Sequence, residues 1–269
     1  EIINKSVCEI VSTDTYSGNE PIIGGLFDSR MGVIENDKIC KTCHQKNTFC
    51  PGHFGHIKLA KPVFYIQFFD MVRKILKCVC FRCSKILINP EDPIIRKMMA
   101  KKYSCQKRFE IVYKCCAKMK RCGQDNPNGC GVKLPNKISK ENIGKINMEW
   151  KDDEEVKKQV FNAEDILVIF KRISDEDSNI LGFCKTINRP ENLICNVFPV
   201  PPPSVRPSVR NDTGQRCEDD LTHKLCDIIK TNNTLRLKID KEDTNVEQID
   251  YWSILLQFHI ATFVDNQLP

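Results

Sequence analysis

Cys40, Cys43, Cys50 and His53 constrain this chain more than any other residues, because they read C-x2-C-x6-C-x2-H inside KICKTCHQKNTFCPGHFGHIKLAKP. Two close ligand pairs separated by a short loop can close around one tetrahedral ion of the zinc type. In the first arm, cysteines two residues apart can turn both sulfurs toward one centre. In the second arm, Pro51 sets a bend and Gly52 allows backbone conformations that other residues resist. His56 is an alternative fourth ligand, but the two-residue spacing favours His53. A closed set of four protein ligands leaves no position for water, so the expected zinc is structural rather than hydrolytic.

A second centre is expected around Cys80 and Cys83. Cys78, Cys105, Cys115, Cys116, Cys122 and Cys130 are the candidates for its other pair. Cys122 and Cys130 are the choice, since a glycine follows each and leaves room for amide-to-sulfur hydrogen bonds in a tight turn. Cys115 and Cys116 fall in a helical pattern, where cysteine is more often a small core residue. The chain holds sixteen cysteines, a number that would suggest disulfides in a secreted protein. Here they sit in close pairs beside histidine and glycine, in a Lys-rich chain without a visible secretion signal, which points to a reducing compartment and two structural Zn2+ ions.

The formal net charge of +6 conceals an asymmetry. Residues 54–140 carry twenty Lys/Arg against five Asp/Glu, whereas residues 1–53 and 141–269 are net acidic. So concentrated a positive block favours a polyanionic partner; the bland alternative is a solvated helical surface beside an acidic domain. Hydrophobic residues make up 41% of the chain, enough for a real core. No apolar run reaches the ~18–20 residues needed to span a bilayer. The start at Glu1 and the stop at ATFVDNQLP read as the ends of a piece of something longer.

Gly24–Gly25 and the DSRMG stretch at 28–32 mark tight turns before the first cysteine pair. Val63 to Leu76 carries an apolar stripe near helical period, with Pro62 suited to its first turn. Residues 94–103 and 106–119 suggest two Lys/Arg-rich helices, the second with an apolar edge at Ile111, Val112 and Cys115. Residues 136–160 read as a polar, exposed connection. Asn162 is a candidate N-cap for a helix through Phe170, and Pro190 can open a short helix through Leu193. Pro199 to Pro203, followed by Val205-Arg206-Pro207, reads as a stiff extended strut, packed through Val197, Phe198, Val205 and Val209. Helices are expected over Glu218–Thr231 and Val246–Val264. His259 on the latter is expected to be a core or boundary histidine. No internal repeat is visible.

The run IIGGLFDSRMG, CKTC, CPGHFGHIKLAKPVF, CVCFRC, PVPPPSVRPSV, EDDLTHKL and LLQFHIATFVDN resembles, in order, the N-terminal part of the largest subunit of multisubunit DNA-directed RNA polymerases, the RNA polymerase II type above all. The resemblance implies the clamp, a mobile element that closes over the DNA cleft and holds nucleic acid during transcription. It implies an α+β fold, helix-rich and irregular, with a zinc-stapled clamp core and a helical clamp head. Residues 1–62 would be the N-terminal clamp core with the first zinc, 63–150 the basic head with the second, and 151–269 the remaining core with the Pro-rich strut and last helix. The family's zinc ligands map onto Cys40, Cys43, Cys50 and His53, and onto Cys80, Cys83, Cys122 and Cys130. Implied partners are DNA, the DNA–RNA hybrid, and the second-largest and smaller polymerase subunits, with no membrane; the implied location is a nucleus, or a virion or cytoplasmic viral factory.

The family's catalytic loop NADFDGD is absent from the sequence, as are the bridge helix and trigger loop, so the piece is not catalytic alone. Catalytic Mg2+ would belong only to the full-length subunit of this nucleotidyltransferase. Asp219-Asp220 and Asp240-x-x-Asp243 do not match the loop; the first pair suits a helix first turn. The Cys122–Cys130 spacing is tighter than in cellular members, which would fit a compact clamp head from a large DNA virus. Lys97, Lys101, Lys102, Lys107, Arg108, Lys118, Lys120 and Arg121 form the pool of phosphate contacts, each weighed against an ordinary solvated charge. An independent zinc-containing nucleic-acid-binding factor is the alternative reading. A RING-type ligase would need tighter interleaving than the gap from Cys83 to Cys122 allows.

Overall fold

The computed structural model describes residues 2–18, 20–101, 103–142, 144–151, 155–210, 216–241 and 245–267. Its first elements are a one-turn helix α1 (Ile2–Lys5), short strands β1 (Tyr16–Ser17) and β2 (Glu20–Pro21), and the long strand β3 (Gly55–Phe64). Helices α2 (Phe69–Leu76), α3 (Pro93–Ala100) and α4 (Cys105–Cys116) follow, then strands β4 (Lys137–Asn142), β5 (Lys145–Lys151) and β6 (Val156–Phe161). Next come helices α5 (Ala163–Lys171) and α6 (Asp175–Ile180), strands β7 (Ile194–Val200), β8 (Val209–Arg210) and β9 (Arg216–Cys217), and helices α7 (Asp220–Asp240) and α8 (Val246–Val264). The fold is mixed α and β, helix-rich and irregular, as expected. Strands β4, β5 and β6 form a three-stranded antiparallel sheet, while β1–β2, β3–β7 and β8–β9 are two-stranded. No described helix is long and apolar enough to cross a membrane. The chain divides into two compact units, Glu1–Lys61 with Asn196–Pro269, and Pro62–Cys195.

In the first unit, α7 and α8 form an antiparallel pair that buries Leu225, Ile228, Ile229 and Leu235 against Leu256, Ile260 and Ala261. Asp219 caps α7 by accepting from the Leu221 amide (3.0 Å), and Asn245 caps α8 by accepting from that of Glu247 (3.1 Å). Helix α7 runs on to Asp240, past the expected end at Thr231. The run Thr231-Asn232-Asn233-Thr234 is a poor helix former, but tertiary hydrogen bonds override it. Buried Asn232 accepts from the Ala60 amide (2.7 Å) and donates to the Lys58 carbonyl (2.9 Å), so it pairs with β3 as a strand would. Asn233 donates likewise to the Val11 carbonyl (2.9 Å).

The Pro-rich segment is not one continuous strut. Its first part ends β7, and a turn follows, closed by Val205 and Arg206 amides donating to the carbonyls of Pro202 (3.0 Å) and Pro203 (3.2 Å). Phe198, Val200, Pro202 and Pro203 are buried, whereas Val205 and Val209 stand in solvent. Arg206 is the side chain that ties the turn down. Fully buried, it donates to the carbonyls of Pro201 (3.0 Å) and Leu26 and to the Thr222 hydroxyl (3.3 Å), and lies over the Phe27 ring. Burial lowers its pKa to about 10.

The second unit has one continuous core, from Phe64 on β3 to Ile194 on β7. The helix expected from Val63 begins only at Phe69: β3 continues through Phe64 and a 3-10 turn at Ile66–Phe68 intervenes. Pro62 therefore lies in a strand, and the buried Val63 and Phe64 extend the strand pattern. Helices α3 and α4 start at capping side chains, Asp92 accepting from the Ile94 amide (2.7 Å) and Ser104 from that of Lys107 (3.4 Å). Of the expected apolar edge on α4, Val112 is buried and Ile111 and Cys115 are partly so, with Phe109 and Cys116 completing the face. The expected connection over 136–160 is instead the β4–β5–β6 sheet, whose Ile138, Ile146 and Met148 alternate into the core. Asn162 does start α5, in a capping box with Asp165. Residues 155–195, read above with the C-terminal part, fall in this unit.

Candidate metal centres

Among the described residues two separate groups could each hold a metal ion, and within each group the potential ligand atoms all lie within 4.8 Å of one another: Cys40, Cys43, Cys50 and His53 form one, and Cys80, Cys83, Cys122 and Cys130 the other. In the first, the sulfurs of Cys43 and Cys50 are 3.5 Å apart, and Cys50 Sγ is 3.8 Å from His53 Nε2. In the second, Cys80 and Cys130 are 3.6 Å apart and Cys83 and Cys122 3.7 Å. A tetrahedron of ~2.3 Å metal–sulfur bonds has edges of ~3.8 Å, so both quartets have the size that such an ion needs. Thiolate and imidazole donors suit a borderline or soft ion; calcium and magnesium would take oxygen ligands.

The backbone explains why these sulfurs converge. The Cys40 amide donates to Gln45 (3.0 Å) and its carbonyl accepts from His44 (2.9 Å), with an antiparallel bridge between Ile39 and Lys46. Around Cys80 the same ladder recurs: its amide donates to Lys85 (2.9 Å), its carbonyl accepts from Ser84 (2.9 Å), and Val79 bridges Ile86. The residue after each pair takes a positive φ, 56° at His44 and 59° at Ser84. At Cys122 the amide donates to Val132 (2.9 Å) and the carbonyl accepts from Gly131 (3.0 Å). Gly123, at φ 87°, packs so tightly on Gly129 that a side chain on Gly129 would meet its backbone. The Cys130 amide points at Cys122 Sγ (3.4 Å), as the Thr42 amide points at Cys40 Sγ (3.4 Å).

Neighbouring side chains join the two halves of the second group. Lys85 donates to the Asn128 carbonyl (2.9 Å), and buried Asn126 donates to that of Ile86 (2.9 Å). No sequence signal marked these residues beyond their place in a turn. Among the described residues none of the sixteen cysteines is in a disulfide. Cys78, Cys105, Cys115 and Cys116 fall in neither group; Cys78 and Cys116 are core residues, in contact through Cys116 Sγ and the Cys78 carbonyl (3.7 Å). His56 also stays outside, its Nδ1 2.7 Å from the Ser6 hydroxyl. His259 is half-buried on α8, outside both groups, and desolvation lowers its pKa.

The thiols are unequal. A hydrogen bond from His53 brings Cys43 down to about 7, while burial pushes Cys50 up to about 11. For Cys130 burial acts upward, but the Val132 amide and the other three thiols outweigh it and hold it at about 7; burial drives Cys80 upward. Each quartet thus offers one thiolate near neutral pH, and a bound dication would displace the remaining protons.

Lys97, Lys101, Lys107, Lys118, Lys120 and Arg121 are exposed, with Lys107 Nζ 4.7 Å from the centre of the Tyr103 ring. Arg108 is partly buried and donates twice to Asn179 (3.0 Å each), an intramolecular use of its guanidinium. Lys102 lies outside the described residues, as does Asp243. The family model described as RNA polymerase Rpb1, domain 1, matches residues 1–269.

Proposed function

The chain belongs to the family of the largest subunits of multisubunit RNA polymerases, and from that premise we propose that it is the clamp region, closing over the DNA cleft and holding nucleic acid during transcription. The observation that carries the reading is the pair of tetrahedron-sized quartets at the family's expected positions. On this reading both hold structural Zn2+, through Cys40, Cys43, Cys50 and His53 and through Cys80, Cys83, Cys122 and Cys130. A closed ligand set supplies cross-linking and no catalysis.

The first unit would serve as clamp core and the second, with its basic segment, as clamp head. Exposed Lys97, Lys101, Lys107, Lys118, Lys120 and Arg121 would meet phosphates of DNA or of the DNA–RNA hybrid without reading bases. Arg108 contributes to folding rather than to that surface. The second-largest and smaller subunits are the protein partners, the catalytic Mg2+ belongs to the full-length subunit, and the working location is a nucleus or a viral transcription compartment.

Two measurements test this. Elemental analysis of the purified chain should return two zinc ions, and a folded chain without metal overturns the structural role. DNA affinity should fall steeply with salt, the slope of log K on log[salt] being about −0.9 per phosphate contact. Binding that ignores salt overturns the assignment of the basic segment.

A further inference from the structure

The DSRMG turn touches both arms of the first quartet. The Ser29 carbonyl accepts from the Lys41 amide (3.0 Å), and the Arg30 carbonyl from the Thr42 hydroxyl (2.7 Å). The Met31 carbonyl accepts from the His53 amide (2.8 Å). Gly32 faces Cys50: a Cβ built there would lie 3.5 Å from the sulfur. Three successive carbonyls thus grip the C-x2-C arm and the histidine arm from one side, while the next residue leaves room for the third sulfur.

One buried carboxylate holds this turn in shape. Asp28 is 1% exposed. Its Oδ2 accepts from the Gly24 amide (2.7 Å) and Arg30 Nη2 (2.6 Å), and its Oδ1 from the Arg30 amide (2.9 Å) and Nε (3.0 Å). The Asp28 carbonyl also accepts from the Met31 amide (2.9 Å). The bidentate pair fixes the Arg30 peptide and, with it, the carbonyl that Thr42 reads. Thr42 completes the chain, because its own amide points at Cys40 Sγ (3.4 Å).

We infer that Asp28 and Thr42 are positioning residues of the first metal centre, acting through the Arg30 carbonyl to hold the quartet in its binding geometry and slow the ion's release. The inference rests on the metal-binding reading above. Neither residue ligates the ion. Asp28 sets the turn, and Thr42 transmits its position to Cys40, as outer-shell partners do around metal ligands.

The test follows metal release from the full chain under excess chelator, with peptide-resolved cysteine alkylation reporting each quartet separately. Asp28→Asn and Thr42→Val should speed exposure of Cys40, Cys43 and Cys50 by about ten- to a hundredfold. Cys80, Cys83, Cys122 and Cys130 should react at the wild-type rate, and Thr42→Ser should restore slow release. Thr42 is exposed, so its variants keep the test alive if Asp28→Asn fails to fold. A Co2+-loaded sample should also shift its ligand-field bands in Thr42→Val and not in Thr42→Ser. Equal release from Thr42→Val and wild type overturns the inference. A wild-type chain that holds no metal overturns the metal-binding reading instead.

Discussion

Gly52 lies between Cys50 and His53 of the first quartet and against the Pro-rich turn, so adding one methyl there tests how closely the two are packed. Its φ is 79°, and a Cβ would lie 2.7 Å and 2.8 Å from the ring carbons of Pro202 and 2.8 Å from Ser204 Oγ. Gly18 in the same unit has a similar φ of 62° with nothing within 4 Å of its Cβ. Alanine at either position incurs the left-handed backbone penalty, ~1–2 kcal/mol, and gains similarly from a less flexible unfolded chain. Only at Gly52 is there an overpacking cost, ~1–3 kcal/mol, because a proline ring cannot rotate away. The difference between the two variants should therefore be ~1–3 kcal/mol. In a Trp150→Phe background Trp252 is the sole tryptophan, and its fluorescence during denaturation reports the unit that holds both glycines. Gly52→Ala should lower the transition midpoint well below that of Gly18→Ala. Equal midpoints would mean that the proline turn yields freely and is not seated on the metal arm.

Cys43→Ser and Cys83→Ser should each lose one of two bound ions by mass spectrometry and open the surrounding turns to hydrogen exchange, since a structural zinc contributes ~10–16 kcal/mol of apparent binding free energy in small finger peptides. Asn232→Ala should destabilise the first unit by ~1–3 kcal/mol, because the Ala60 amide loses its acceptor; the Lys58 carbonyl keeps Arg236 at 3.0 Å. Asn232→Asp, which retains the acceptor, should exchange the Ala60 amide more slowly than the alanine variant. Desolvation lowers the pKa of His259, so the unfolded chain binds its proton more tightly and stability should fall as pH drops below about 6.5. His259→Asn should flatten that part of the pH–stability curve in chemical denaturation, apart from the contribution of His56, whose pKa burial also lowers.

Legibility followed the range of the interactions. The α8 limits were readable because an uninterrupted apolar stripe coincides with a capping asparagine at 245, both local features. The end of α7 was not, since the hydrogen bonds that the Asn232 side chain makes go to β3, far away in sequence. The sheet of β4, β5 and β6 was hidden for a related reason: its strands set a few buried residues among many lysines, and Ile138, Ile146, Met148 and Phe161 mark the inward face. The stripe from Val63 was read as helical, but Val63 and Phe64 end β3, because a short apolar run does not by itself distinguish a buried strand from a helix. The cysteine spacings were legible as pairs, and the glycines after Cys122 and Cys130 singled these two out as partners of Cys80 and Cys83, with which the structure groups them. The role of DSRMG lay in carbonyls, which no side-chain pattern records.

The two C-x2-C turns carry a repeat that residue identity conceals. Apart from the cysteines themselves, Cys40-Lys41-Thr42-Cys43-His44 and Cys80-Phe81-Arg82-Cys83-Ser84 share no residue. Yet each closes with the same pair of backbone hydrogen bonds and the same left-handed residue at its fifth position. A non-glycine residue in that region costs ~1–2 kcal/mol, and glycine would avoid the cost at both. The backbone ladder recurs with different intervening side chains, so the turn itself does not depend on their identity. They do differ in use: Phe81 packs edge-on against Trp150, while Thr42 turns back to Arg30. The shared turn supplies the ligand geometry, and the variable residues dock each turn to its own unit.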